Sequence, residues 1–190
     1  MGDGPPLVIV TGPPASGKTT LGRTLATRLA MPFLYKDGIK ETLFDALGWS
    51  GREWSRKLGV ATYALLFHLL EMELAAGRSL VVESNFDAER AGPSFLALRD
   101  RYGFRPVQVC CVADGAVLLE RFRSRVTSGE RHPGHDELAN MLELEPILLR
   151  GRLDPLPLDG PIIEVDTTDL AHVDATAIFH EVSSALDAEP

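Results

Sequence analysis

Gly12, Gly17, Lys18 and Thr19 have the types and spacing that imply phosphate chemistry. They belong to Gly12-Pro-Pro-Ala-Ser-Gly-Lys-Thr-Thr20, which fits the pattern G-x-x-x-x-G-K-[ST]. Glycine at both ends lets the backbone adopt conformations that a Cβ obstructs. Around Pro13, Pro14, Ala15 and Ser16 the loop can then turn its N–H groups inward. It would hold phosphate oxygens at the positive end of the following helix. Lys18 is placed to reach the β- and γ-phosphates of a nucleotide, Thr19 to offer a hydroxyl to Mg²⁺, and Thr20 to carry the turn into the helix.

Phosphoryl transfer to an alcohol needs a carboxylate near the attacking hydroxyl, cations around the migrating group, and exclusion of water. Asp37 follows the short run Phe33-Leu-Tyr35 and precedes Gly38 and Lys40. A carboxylate there faces the loop across the sheet edge and can accept a proton. Asp-Gly-Ile-Lys-Glu-Thr equally opens a helix, with Asp37 as its N-cap, and the two roles are compatible. Arg121 and Arg125 lie at i and i+4 on one helical face, and Arg131 follows within the polar stretch Thr127 to His135. A planar guanidinium bonds two phosphate oxygens at once. His132 and His135 flank Pro133-Gly134, and no further Cys or His is placed to complete a metal site. The stretch reads as a polar lid that orders over a nucleotide.

Three segments together resemble the P-loop kinase family: Gly12 to Thr20, Lys36-Asp37 after a second strand, and Val81-Val-Glu-Ser-Asn85 after a third. The chain is most similar to the branch holding chloramphenicol phosphotransferase, the polynucleotide 5′-kinase domain, zeta-toxin kinases and gluconate-kinase-like enzymes. The resemblance covers essentially the whole chain. It implies an ATP- and Mg²⁺-dependent kinase acting on a hydroxyl of a small-molecule acceptor, with Asp37 as general base. Glu83 stands in a Walker-B-like place where the family often has aspartate, and the resemblance implies contact with Mg²⁺ or with the acceptor. Ser84 and Asn85 then line the same cleft, or cap the strand-to-helix turn. Arg121, Arg125 and Arg131 are expected to close over ATP and stabilise the moving phosphoryl group. Lys18, Asp37, Arg121 and Arg125 are thus the expected catalytic set.

Asp166-Thr-Thr-Asp169 is expected to pass beside the adenine base, with the backbone at Thr167 making the contact; Asp169 as an N-cap is the simpler account of that residue. Residues 37–76 are expected to form the acceptor pocket, with Lys40 in it. Trp49 and Trp54 there read as an apolar wall or as core, and Arg52, Arg56 and Lys57 as local positive charge or a solvated helix start. Two alternatives stand beside this reading. One is a nucleotide or polynucleotide 5′-hydroxyl kinase; the other is a nucleotide-binding regulatory ATPase without a phosphoryl acceptor. A guanine-specific switch would carry Asn-Lys-x-Asp where this chain has Cys110-Cys-Val-Ala-Asp114.

Positioning these residues takes five strands with helices between them. Leu7 to Thr11 reads as a strand buried on both faces, and Thr19 to Leu29 as a helix with Leu21, Leu25 and Leu29 on one stripe. Further strands are expected at 33–35, 79–82, 106–112 and 162–165, and helices at 39–47, 52–76, 95–102, 115–126, 136–150 and 170–186. The second half of 52–76 is apolar nearly all round, which predicts deep burial. The alternation gives one three-layer α/β/α domain over residues 1–190, of the P-loop NTPase type, with a five-stranded parallel sheet and a helical lid at about 121–136. Right-handed crossovers bring every strand's carboxyl end to the edge that carries the loop.

A formal net charge of −8 over 190 residues argues against a broad polyanion-binding surface, so nucleic acid is an unlikely partner. It leaves room for a local positive pocket. Cys110 and Cys111 adjoin each other in an apolar run and read as buried strand residues. The start, Met1-Gly-Asp-Gly-Pro-Pro6, is short and acidic, and the longest uncharged apolar stretch, Leu58 to Leu70, is too short to span a bilayer. A cytoplasmic protein without membrane contact is expected. The composition selects no oligomeric state.

Overall fold

The five apolar runs form one parallel sheet in the computed structural model, which describes residues 4–129 and 131–188. Its strands are β1 (Pro6–Thr11), β2 (Phe33–Tyr35), β3 (Leu80–Glu83), β4 (Arg105–Val112) and β5 (Ile162–Asp166), in the order β2-β3-β1-β4-β5. Seven α-helices are described: α1 (Lys18–Leu29), α2 (Lys36–Leu47), α3 (Gly51–Ala75), α4 (Ala88–Tyr102), α5 (Gly115–Ser128), α6 (Glu137–Arg150) and α7 (Ala175–Asp187). Glu130, in the expected lid, and Met1 to Asp3, in the acidic start, lie outside the described residues.

Alternation along β1 divides the core in two. Leu7 and Ile9 face Leu66, Leu70 and Leu74 of α3 and Phe95 and Leu98 of α4. Val8 and Val10 face Leu21 and Leu25 of α1 and Val182 of α7. A third cluster joins α5 to α6 through Leu118, Phe122 and Leu148. Cys110 and Cys111 are buried free thiols of β4, and burial pushes them up to about 11 and about 12.

Three expectations change at this level. The helix α3 is not buried all round. Leu58, Leu66, Leu70 and Leu74 lie in the core, while Val60 is 74% exposed and Met72 55%. Composition makes α3 long and apolar enough to cross a bilayer, and here one stripe of it belongs to the core of the sheet. The helix α4 begins at Ala88, seven residues before the expected start, although it contains Pro93. Asp87 caps it by accepting from the Glu89 and Arg90 N–H groups, and the burial of Ala91 and Phe95 outweighs the bond that proline removes. The last helix begins at Ala175 under an Asp174 cap, and Asp169 instead caps a short 3-10 turn, Leu170–His172.

Between α6 and β5 the connector crosses the end of the sheet without regular structure, and Gln108 of β4 fastens it. Its buried side chain donates to the Leu156 carbonyl at 3.1 Å and accepts from the Leu156 N–H at 2.8 Å. Replacing it with leucine leaves that buried N–H without an acceptor. Gln108→Leu is expected to lower unfolding free energy by about 2 kcal/mol, read as an earlier urea midpoint. An unchanged midpoint would contradict the role of this clamp.

Candidate active site

The loop between β1 and α1 closes on itself. Gly12 has φ +156°, and a Cβ there would lie 2.6 Å from the Cys111 carbonyl oxygen and 2.8 Å from Ser16 Oγ. No side chain fits that approach. Lys18 Nζ donates to the Pro13 carbonyl at 3.2 Å, drawing its ammonium back over the loop, and stands 4.0 Å from Glu83 Oε1. Thr19 Oγ1 donates to Glu83 Oε2 at 2.8 Å. Glu83, at the end of β3, is 2% exposed. Burial raises its carboxyl pKa, against the opposing pull of Lys18 and the Thr19 hydrogen bond. Ser16 Oγ is buried and has no hydrogen-bond partner among the described residues. An unpartnered hydroxyl, a backbone cradle too tight for a Cβ, and the oxygen donors of Thr19 and Glu83 together suit a phosphate chain with a hard cation.

Asp37 stands in the first turn of α2, directly after β2, and it does not cap that helix. The N-cap is Tyr35, and no side chain makes a cap bond there. Asp37 Oδ2 instead accepts from Arg131 Nη2 at 2.5 Å. Burial works to raise the Asp37 pKa, but the combined pull of Arg131, Lys36 and Lys18 overcomes it and holds the carboxyl well below the usual carboxylate range.

Asp37, Lys18, Thr19 and Thr20 line one cavity of about 480 Å³. Its basic residues are Lys18, Arg23, Lys36, Lys40, Arg125 and Arg131; its acidic ones are Asp37, Glu41 and Glu143. A protein of net charge −8 therefore carries a basic cleft. Pro14, Ala15, Gly17 and Asn85 complete the expected part of the lining. Lys40 also donates to Ser55 Oγ at 3.0 Å, and burial, with Lys36 nearby, lowers its pKa to about 8.

The segment after α5 is built onto α2. Gly134 lies against Phe44, where a Cβ would come within 2.6 Å of the ring. His132 stacks on Phe44 at 5.1 Å and His135 meets the same ring edge-on at 5.4 Å. His132 Nε2 pairs with Asp45 Oδ1 at 3.2 Å, and His135 Nε2 with Glu41 Oε1 at 2.9 Å.

Other expected residues lie elsewhere. Arg121 does not line the cleft; it donates to the carbonyls of Thr167 and Thr168 at 2.8 and 2.7 Å. It fixes the segment after β5, and the arginines that line the cleft are Arg23, Arg125 and Arg131. Thr167 is buried, and its hydroxyl donates to the Val112 carbonyl at 2.9 Å. Trp49 packs edge-on against His132 at 4.9 Å, and Trp54 Nε1 donates to the Gly48 carbonyl at 2.8 Å. Neither tryptophan lines the cleft, because both are engaged with the lid and the α2–α3 turn. Arg52 and Arg56 pair with Glu143 of α6. The charged lining residues not anticipated include Arg23, Glu41 and Glu143. Arg23 stands one helical turn after Thr19, a spacing that could have signalled it.

A protein-family model described as AAA domain matches residues 7–146. A solved structure from Chloroflexus aurantiacus J-10-fl, described as a candidate kinase, is 46% identical, covers 97% of this chain and 100% of its own, and superposes with a TM-score of 0.89. A gluconokinase from Sinorhizobium meliloti 1021 is 18% identical over 96% of this chain and 95% of its own, with a TM-score of 0.53. A sugar kinase from Janibacter sp. HTCC2649 is also 18% identical, over 98% and 96%, with a TM-score of 0.55. At 18% identity the likeness is one of fold. No curated protein matches the chain.

The lid contact has a consequence for pH. Burial, followed by the charge of Arg131, lowers the His135 pKa to about 3, from the ordinary value of 6.5. Packed against α2, this ring is held neutral, and a segment released from α2 would let it protonate. Docking is fully stable above about pH 6.5 and weakens as pH falls from there toward 3. Amide protection at Gly134 and His135, corrected for intrinsic exchange, is expected to drop about tenfold per pH unit below 6. Protection independent of pH would contradict this.

Proposed function

The chain belongs to the AAA domain family, and from that membership and its cleft we propose that it transfers the γ-phosphoryl group of ATP to a hydroxyl of a small molecule. The observation carrying the reading is that a carboxylate and a phosphate-shaped loop share one basic cavity. That a relative 46% identical is described as a candidate kinase, and that gluconokinase and sugar kinase share the fold, supports the same class. A polynucleotide acceptor fits less well, because the cleft is basic only locally.

In this reading the loop backbone and Lys18 hold the β- and γ-phosphates, and Arg125 and Arg131 gather the equatorial oxygens as charge spreads in the transition state. Thr19, backed by Glu83, would hold Mg²⁺, which supplies charge neutralisation on the phosphates when bound. The acceptor oxygen bonds to the γ-phosphorus, the bond to the β–γ bridging oxygen breaks, ADP leaves, and the hydroxyl proton passes to Asp37. A carboxylate held far below its usual range is a weak base. Arg131 therefore has to exchange Asp37 for the incoming phosphate before the proton moves, and the nucleotide itself then readies the base. Arg121 would act at one remove, through the backbone after β5 that passes the nucleotide.

Replacing Asp37 with asparagine keeps the shape and removes the base. Asp37→Asn is expected to lower kcat about 10²- to 10⁴-fold while ATP affinity, measured by calorimetry, is kept or rises because Arg131 is released. Lys18→Ala, in contrast, is expected to lose transfer without changing the thermal midpoint. Wild-type turnover in the Asp37→Asn protein would overturn the assignment.

A further inference from the structure

A second cavity, of about 960 Å³, opens between α3 and α4 and adjoins the phosphate cleft. The two share Lys36, Asn85 and Leu144 as lining residues. Ala64 and Phe67 of α3 face Ala91, Ala97 and Leu98 of α4 across it, and Ile147 of α6 closes one side. The walls are mostly carbon, and the small side chains at Ala64, Ala91 and Ala97 leave the space between the helices unfilled. Along α4 the wall runs from Asp87 to Arg101, about 21 Å of helix.

Polar groups stand at its two ends, and Arg90, Ser94 and His68 line it between them. Beside Asp37 stand Lys36, whose Nζ lies 5.2 Å from the Tyr63 ring, and the Tyr63 hydroxyl, 3.2 Å from Ser84 Oγ. The far end is closed by the ion pair of Arg101 with Glu71, to which the Tyr102 hydroxyl also donates at 2.9 Å.

We propose that this groove holds the body of the phosphoryl acceptor, and that the acceptor is an alcohol on an extended apolar or aromatic frame, its hydroxyl delivered past Lys36 and Asn85 to Asp37. The proposal rests on the kinase reading and deepens it. A compact polyol would leave the carbon surface of the walls wet, whereas an extended apolar frame removes that surface from water. The acceptor site thus lies between α3 and α4, away from Trp49 and Trp54.

The test pairs turnover with direct binding. With ATP and Mg²⁺, kcat/KM is measured for the primary alcohols from ethanol to 1-octanol and for gluconate. It is expected to rise about fourfold per methylene and to leave gluconate far behind. In the Ala97→Trp protein, whose new ring fills the groove from an exposed position, that rise is expected to flatten. Separately, ¹³C-labelled alanine methyls of Ala64, Ala91 and Ala97 should shift saturably with 1-octanol while that of Ala177 on α7 stays still. Turnover indifferent to chain length, or favouring gluconate, would leave a kinase standing and overturn the groove. Methyl shifts with no phosphorylated alcohol would overturn the kinase reading and with it the acceptor role. Shifts of the same methyls with protein concentration alone would assign the groove to a second copy and overturn the proposal.

Discussion

A half-buried carboxylate among cations is the constraint on which the rest of this structure depends. Asp37 stands with Lys18, Lys36 and Arg131 about it, and a charge in such a place persists only if it is paired. The pairing reaches across 94 residues, from the first turn of α2 to the segment after α5. That single bond ties together the first turn of α2, which carries Asp37, and the segment after α5, which carries Arg131, beside the loop that carries Lys18. The same cations would also attract phosphate, so an incoming nucleotide and Asp37 compete for Arg131. In the proposed reaction, nucleotide binding and the readiness of Asp37 as a base would thus be linked through Arg131.

Around this pair the fold separates two tasks. The cleft at the sheet edge is basic and suited to a charged tail, inside a molecule whose total charge is −8. The groove beside it is mostly carbon. Glu83 lies beneath both Lys18 and Thr19, fixing the two side chains of the loop from below. Phe44 does the same for the lid, receiving Gly134, His132 and His135 on one ring.

Much of this was legible before any coordinates. The loop pattern is local, and so are the apolar runs that become β1 and β4. The parallel three-layer arrangement followed from their alternation with helices. What escaped the sequence depends on distant partners. Arg121 and Arg125 share a helical face, yet Arg121 finds two carbonyls after β5 and Arg125 lines the cleft. The choice between acceptor wall and packing at Trp49 stays open in the sequence because the histidine that meets it lies far along the chain. The α3 pattern, apolar all round, could not reveal which stripe meets the sheet and which faces the groove or solvent. The expected helix at 95–102 starts earlier, at Ala88, and the packing of Ala91 and Phe95 shows why α4 runs through Pro93. Arg23 carries only a weak local signal, its place one helical turn after Thr19, and Glu41 and Glu143 carry none.

The central claim is that the γ-phosphoryl group leaves for an alcohol rather than for water. Phosphorus NMR of the protein with ATP, Mg²⁺ and 1-octanol reads this directly, since a phosphate monoester and inorganic phosphate resonate apart. A monoester signal growing in step with ADP is the expected result. ADP accompanied by inorganic phosphate alone, at the same rate with and without the alcohol, would contradict it.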